Sequence, residues 1–272
     1  MSESTGKEMS FMDHLEELRW HLLRGVVAIF VFMIIAFINM KFIFKHVILA
    51  PARADFWTYK IMCKLSDATC IDQLNFSLQS RLLSGQFTMH VVASFTVGFI
   101  VGFPYLFYEI WKFIKPGLYI NEKKNATGVV LFVTILFIIG ALFGYFVIAP
   151  LSVNFLANYT LDESIVNEFD ITSYVGTICM IVLAGGLMFQ LPVVVMMLSK
   201  FGVVTPQFMR RFRKHAIVVL MIVAAIITPS PDVLSQILVG IPLYILYELS
   251  IFISAVMNKG RTSTEIQKQE KE

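Results

Sequence analysis

Two acidic side chains stand where a ligand is a reasonable expectation: Glu17, in SFMDHLEELRWHLLRG, and Glu122, in YEIWKFIKPGLYINEKKN. Both lie next to long apolar runs, beside a membrane face whose own negative lipids attract Lys and Arg instead of acids. Brought together by a fold, the two carboxylates would offer bidentate, charge-assisted pairing to two guanidinium groups. Plainer alternatives stay open, with Glu17 paired to Arg24 or His21 on a solvated helix face and Glu122 in a neighbouring ion pair with Lys123 or Lys124, worth little at a surface. A third polar position is Gln190, in the apolar run LAGGLMFQLPVVVMML at 183–198, where it follows Gly185 and Gly186 and precedes Pro192. It reads either as the lining of an intramembrane polar pocket or as an amide bonded within a helix bundle. Cys63 and Cys70, in KIMCKLSDATCID, can form a disulfide if their loop faces an oxidising compartment, and are otherwise two free thiols. Cys179 sits in an apolar run and reads as packing.

Other chemistries lack their parts. The sequence has no Gly-rich phosphate loop, no helical His pair with an intervening Glu and no Gly-x-Ser-x-Gly elbow. The five histidines, at 14, 21, 46, 90 and 215, are scattered. No catalytic residue, metal site or cofactor is therefore expected, and an intramembrane enzyme is disfavoured. A proton-coupled secondary transporter of a small solute is the alternative function, but it should show repeat symmetry between halves, and none is visible.

The elements that must hold these residues are membrane helices. Hydrophobic residues make up 57% of the chain and charged ones 15%, with mean hydropathy +0.74. A window of about 20 residues, the length that crosses roughly 30 Å of hydrocarbon, finds spans near 22–44, 86–110, 127–150, 173–199, 215–229 and 233–256 in a single membrane domain, 1–256, followed by a polar tail at 257–272. The fifth is short and is joined to the sixth by TPSPD, a tight hairpin. Of the 22 Lys and Arg residues, six fall at 41–81 and the other 16 flank the side that holds both termini, which places the termini in the cytoplasm. The net charge of +3 averages two unlike faces and gives no reason to expect nucleic acid. The N-terminal segment is an amphipathic interfacial helix: Phe11, Leu15, Leu18 and Leu22 form one stripe, while Asp13, Glu17, His21 and Arg24 form another.

Several long motifs in register carry a family resemblance. FMDHLEELRWHLLRG, LAP at 49–51, FPYLFYEIWKFIKPGLYINEKK at 103–124, FIIGALFGYFVIAP at 137–150, FQLPVVVMML at 189–198 and AAIITPSPDVLSQILVGIPLYILYE at 224–248 together resemble TatC, the multispanning receptor subunit of the twin-arginine protein translocase. The resemblance implies an all-α integral membrane protein of six transmembrane helices in a concave bundle, in the bacterial cytoplasmic membrane. It also implies a receptor that binds twin-arginine signal peptides on its cytoplasmic face, works in an oligomeric complex with TatA/TatB-type single-span proteins, and exports folded cargo using the proton-motive force without covalent chemistry. By the same resemblance the signal-peptide-binding residues are Glu17, Arg19, Phe113 and Glu122, and Pro51, Pro104 and Asp232 hold loop and helix geometry. At the position of Gln190 the family usually has a glutamate, so a proton carried there is not expected in this chain.

Overall fold

The computed structural model describes residues 11–65, 76–114, 126–162, 164, 167–200, 202–228 and 233–269. The described chain is helical apart from one short strand pair. Helix α1 is Phe11–Ile38, α2 Met40–Ile43, α3 Trp57–Leu65, α4 Gly85–Ile114, α5 Ala126–Phe143 and α6 Ala149–Asn158. After these come α7 Ile171–Met188, α8 Leu191–Lys200, α9 Pro206–Arg211, α10 Arg213–Ile227 and α11 Val233–Gln269. Five segments are long and apolar enough to cross a bilayer: Leu15–Ile38, Gly85–Ile114, Gly128–Asn158, Ile171–Ser199 and Ser235–Ala255. The apolar segment expected at 215–229 is α10, whose 15 residues give a rod of about 22 Å, shorter than the hydrocarbon core.

Three boundaries differ from the sequence expectation for physical reasons. The amphipathic N-terminal segment is not a separate element, because nothing between Phe11 and Ile38 breaks a helix and the segment runs straight into the first span. One member of its polar stripe packs inward: His21 is buried, whereas Leu15 and Leu22 of the apolar stripe are exposed. The apolar segment at 173–199 is two helices, α7 and α8, since Pro192 has no N–H to give the carbonyl of Met188. The chain after 256, expected as a polar tail, continues α11 to Gln269. At the end of α8 the turn closes through Gly202, whose φ of 74° is the one left-handed backbone among the described residues.

Contacts divide the chain into two units. The first is Met1–Met40 with Ser94–Ile135. Its core is the antiparallel pair of α1 and the second part of α4, packed through glycine. A Cβ on Gly98 would lie 2.6 Å from the backbone nitrogen of Met33, one on Gly102 3.0 Å from Ile29, and one on Gly25 2.5 Å from Leu106. Such close approach is what holds helices together where apolar surroundings remove the hydrophobic drive.

The second unit is Lys41–Ala93 with Leu136–Glu272. Here α5 and the turn after it pack on α7 through Gly140, Gly144 and Gly185, with the built Cβ of Gly140 falling on the carbonyl oxygen of Gly185. Two proline turns interlock beside them. Pro51 cannot bond the carbonyl of Val47, and that carbonyl accepts the hydroxyl of Tyr145 at 2.7 Å instead. Pro150 likewise leaves the carbonyl of Phe146 free, and the hydroxyl of Thr58 donates to it. Each proline follows a π-helical turn, Phe44–Ile48 or Gly144–Ile148. Two further buried tyrosines satisfy the remaining carbonyls: Tyr174 donates to Ile48 at 2.8 Å, and Tyr59 reaches Pro150 at 2.8 Å and Pro51 at 3.0 Å. Burial holds the Tyr59 phenol well above its ordinary range, so it stays a donor. Strands β1, Ser77–Gln79, and β2, Glu168–Asp170, form a short parallel pair in this unit.

Candidate functional site

The register of α1 against α4 dictates what meets at the N-terminal end of α1. Gly98 opposes Met33, Gly102 opposes Ile29 and Leu106 opposes Gly25, which fixes an antiparallel register. Continuing one turn brings Glu109 opposite His21, and another turn brings Phe113 towards Glu17. The side chains follow that geometry. His21 Nδ1 lies 2.5 Å from Glu109 Oε2, with His21 6% and Glu109 4% exposed. The opposite ring nitrogen, Nε2, lies 3.9 Å from Glu17 Oε1, whose side chain is 39% exposed. The Phe113 ring is centred 6.4 Å from the imidazole and tilted by 55°. Tyr105 and Lys112, also on α4, act on Glu109, the first through its hydroxyl and the second through its charge. The result is a half-exposed carboxylate with an aromatic ring nearby, backed by a buried acid and base.

This cluster gathers Glu17 and Phe113 but turns Arg19 away. Arg19 is exposed, 3.7 Å from Glu16 in an i, i+3 pair, with its guanidinium 5.6 Å from the Trp20 ring. Glu122, Asp232 and Cys70 lie outside the described residues. Pro104 sits inside α4, and Pro51 is buried with its carbonyl bonded to Tyr59. Cys63 is disulfide-bonded and Cys179 is a buried free thiol. Gln190 occupies the turn between α7 and α8, where its N–H donates to Leu187 and its carbonyl starts α8 by accepting from Val193 and Val194. Glu248 pairs with Arg213 at 2.7 Å and accepts the Tyr244 hydroxyl at 3.0 Å. Among the described residues no group of His, Cys, Asp and Glu could hold a metal.

The residue that sequence reasoning passed over is Glu109. Its signal was present: an acid inside an apolar helix, four residues before Phe113 and on the same face. What the sequence lacked was the helix register, because His21 is 88 positions away. His21 entered only as one of two alternative partners for Glu17.

Similarity to known proteins agrees with the motifs. The family model described as Sec-independent protein translocase protein (TatC) matches residues 13–242. A protein named Sec-independent protein translocase protein TatC from Blattabacterium sp. subsp. Periplaneta americana (strain BPLAN) is 39% identical over 261 residues, spanning 93% of this chain and 98% of the relative. The protein of the same name from Aquifex aeolicus (strain VF5) is 33% identical over 261 residues, spanning 96% of this chain and all 100% of the relative. A crystal structure of the twin arginine translocase receptor TatC superposes with a TM-score of 0.69 at 32% identity, covering 89% of this chain and 98% of that one. The chain belongs to the TatC family, and is an all-α, multi-pass membrane component of the twin-arginine protein translocation system.

Proposed function

We propose that this chain is the signal-peptide receptor of a twin-arginine translocase in the bacterial cytoplasmic membrane. It takes the paired arginines of a signal peptide at the N-terminal end of the α1/α4 pair. Glu17 and Glu122 supply the carboxylates, Phe113 gives an aromatic wall beside the chain entering, and Arg19 is a neighbouring contact. The receptor then recruits TatA/TatB-type single-span partners in an oligomeric complex, and folded cargo crosses at the expense of the proton-motive force. Gln190 lines a polar position for a partner helix or an inserted signal peptide. Pro51, Pro104 and Asp232 keep loop and helix geometry, and Cys63 pairs with Cys70.

The observation that carries this reading is the half-exposed Glu17 carboxylate at the end of a packed helix pair, in a chain similar over nearly its whole length to a protein described as the twin arginine translocase receptor. A carboxylate so exposed is open to bidentate, charge-assisted pairing with an arriving guanidinium. The test is the affinity of purified protein for a labelled peptide carrying Arg-Arg or Lys-Lys. Binding should favour Arg-Arg, because only guanidinium pairs bidentately with carboxylate, and it should weaken in Glu17→Ala and in Glu122→Gln. Unchanged affinity in both variants would overturn the two-carboxylate receptor. Photocrosslinking from position 190 to the peptide tests the place of Gln190.

A further inference from the structure

His21 and Glu109 have no part in a receptor made only of Glu17, Phe113 and Glu122, yet they are the buried titratable pair beside it. One imidazole bridges a buried carboxylate and a solvent-facing one, through Nδ1 to Glu109 at 2.5 Å and with Nε2 3.9 Å from Glu17. Such a short contact requires a hydrogen between Nδ1 and the carboxylate, and the natural donor is the ring nitrogen. The state of Nε2 then decides what Glu17 experiences. Without a hydrogen, Nε2 turns a lone pair towards a carboxylate. With one, the ring is an imidazolium whose charge partly neutralises Glu17. Among the described residues, the charged and titratable groups facing the ring are Glu17 on α1 and Glu109 on α4. Behind them, Tyr105 and Lys112 of α4 act on Glu109, and Arg24 of α1 acts on Tyr105. Among the described residues, the imidazole is the basic group that lies within ion-pair distance of Glu17.

We propose that His21 is the resident cation of the Glu17 site, held by Glu109, and that a guanidinium arriving at Glu17 displaces its charge as a proton. The inference rests on the receptor reading above and adds a chemical consequence to it: signal-peptide binding releases a proton from Nε2 of His21 to solvent, while the Nδ1–H bond to Glu109 stays. His21 and Glu109 act through Glu17 and are positioning residues. Glu109 fixes the ring so that its far nitrogen points at Glu17, and the imidazole tunes how much negative charge the peptide meets. A receptor so built binds more weakly as acidification fills Nε2, since peptide and proton compete for the same carboxylate.

The experiment measures Kd of full-length protein in detergent for an Arg-Arg peptide with no group titrating near neutrality, at pH 8 and pH 6 and fixed ionic strength. One competing proton weakens binding by at most about tenfold per pH unit. The wild type should lose about threefold or more over the interval, whereas H21Q, which keeps an N–H for Glu109 but takes no proton, should change by less than about twofold. H21Q should also bind at least as tightly as wild type at pH 6. An equal slope in H21Q and wild type, or a flat wild type, overturns the proposal. E17Q separates the two readings: if it binds like wild type at both pH values, the receptor site itself is wrong, whereas a loss in E17Q with no His21-dependent slope defeats only the proton coupling. Should H21Q fail to fold, titration calorimetry of the wild type at pH 7 in buffers of different ionisation enthalpy counts the protons directly, with release expected and no release, or uptake, refuting the proposal.

Discussion

The α1/α4 and α5/α7 pairs are built on the same kind of seam and end in different chemistry. In the first unit Gly25, Gly98 and Gly102 bring two helix backbones together, and the seam closes on His21, Glu109 and Glu17. In the second unit Gly140, Gly144 and Gly185 do the same work, with Gly186 against the ring of Phe137, and the seam runs to the turn at Phe189 and Gln190. Small residues set the approach in both, as expected where lipid tails are as apolar as the side chains they would replace. Charge is confined to the seam whose end has a half-exposed carboxylate. The other seam reaches an amide, ten residues from Lys200 and so about 15 Å from that end of the helix pair, where an ion would be costly. Glycine seams are thus the shared architecture, and the groups at their ends are where the two helix pairs diverge in function.

The comparison is broken most forcefully at the charged end. Glu109→Ala leaves the His21 ring without its carboxylate in a buried setting, and losing one partner of a buried pair costs about 3 kcal/mol. Replacing both partners by apolar residues should cost less than the single change, since no charge is then left buried. Chemical denaturation in detergent of the single and double variants checks this. A double variant as unstable as E109A would mean that the pair holds the helices together by more than mutual neutralisation.

At the seams themselves the expected effect is about 2 kcal/mol for Gly140→Ala, because the new methyl group would fall on the carbonyl oxygen of Gly185 and lie 2.7 Å from the Cβ of Phe189, and backbone cannot step aside as a flexible side chain can. Gly176, in α7 but off the seam, has nothing within 4 Å of its built Cβ, and Gly176→Ala should be neutral or stabilising by up to about 1 kcal/mol from helix propensity. Thermal melts of the two variants side by side measure the seam, and equal melting temperatures would remove the close approach from the argument. A milder exchange is Gln190→Glu, which puts a titratable acid at the neutral end. It should be tolerated in an export assay, since a carboxyl group in apolar surroundings can take up a proton, and a complete loss of export would show that the amide itself is needed there.

How far the sequence anticipated these two regions depends on the range of the interactions involved. Span positions were legible because roughly 20 apolar residues leave a mark on composition, whereas the break before α8 was not drawn from Pro192, because the apolar run at 173–199 continues unbroken across it. The family could be read from motifs such as FMDHLEELRWHLLRG, which fix identity without fixing contacts. The continuity of α1 was hidden by a change of composition from amphipathic to apolar within one uninterrupted helix. The π turns at Phe44–Ile48 and Gly144–Ile148 were hidden as well, since an extra residue per turn alters no residue type. Glu17 and Phe113 could be named from the motifs, whereas the His21–Glu109 pair required the α1/α4 register, and no local pattern encodes that.

The smallest expected effect belongs to the start of the neutral seam, where α7 begins. Asp170 is the N-cap of α7, accepting from the backbone N–H of Thr172 at 2.8 Å and from its hydroxyl, while its second oxygen accepts the backbone N–H of Arg81 at 2.9 Å. The Thr172 hydroxyl and these N–H groups hold the Asp170 carboxyl below its ordinary range. A depressed carboxyl contributes stability that is complete above its unfolded value, about 3.9, and is lost as pH falls through the folded value. Melting temperature should therefore be insensitive to Asp170 at neutral pH and fall on acidification below about pH 4. Asp170→Asn keeps a capping oxygen but no titrating group, so its melting curve should fall less steeply than the wild type over that acid range. Asp162 is also held low, by the hydroxyl and N–H of Ser164, but it caps no helix of either seam. If Asp162→Asn flattened the acid limb as much as Asp170→Asn, the stability at stake would belong to the chain between α6 and β2, and the neutral seam would have no charged element even at its start.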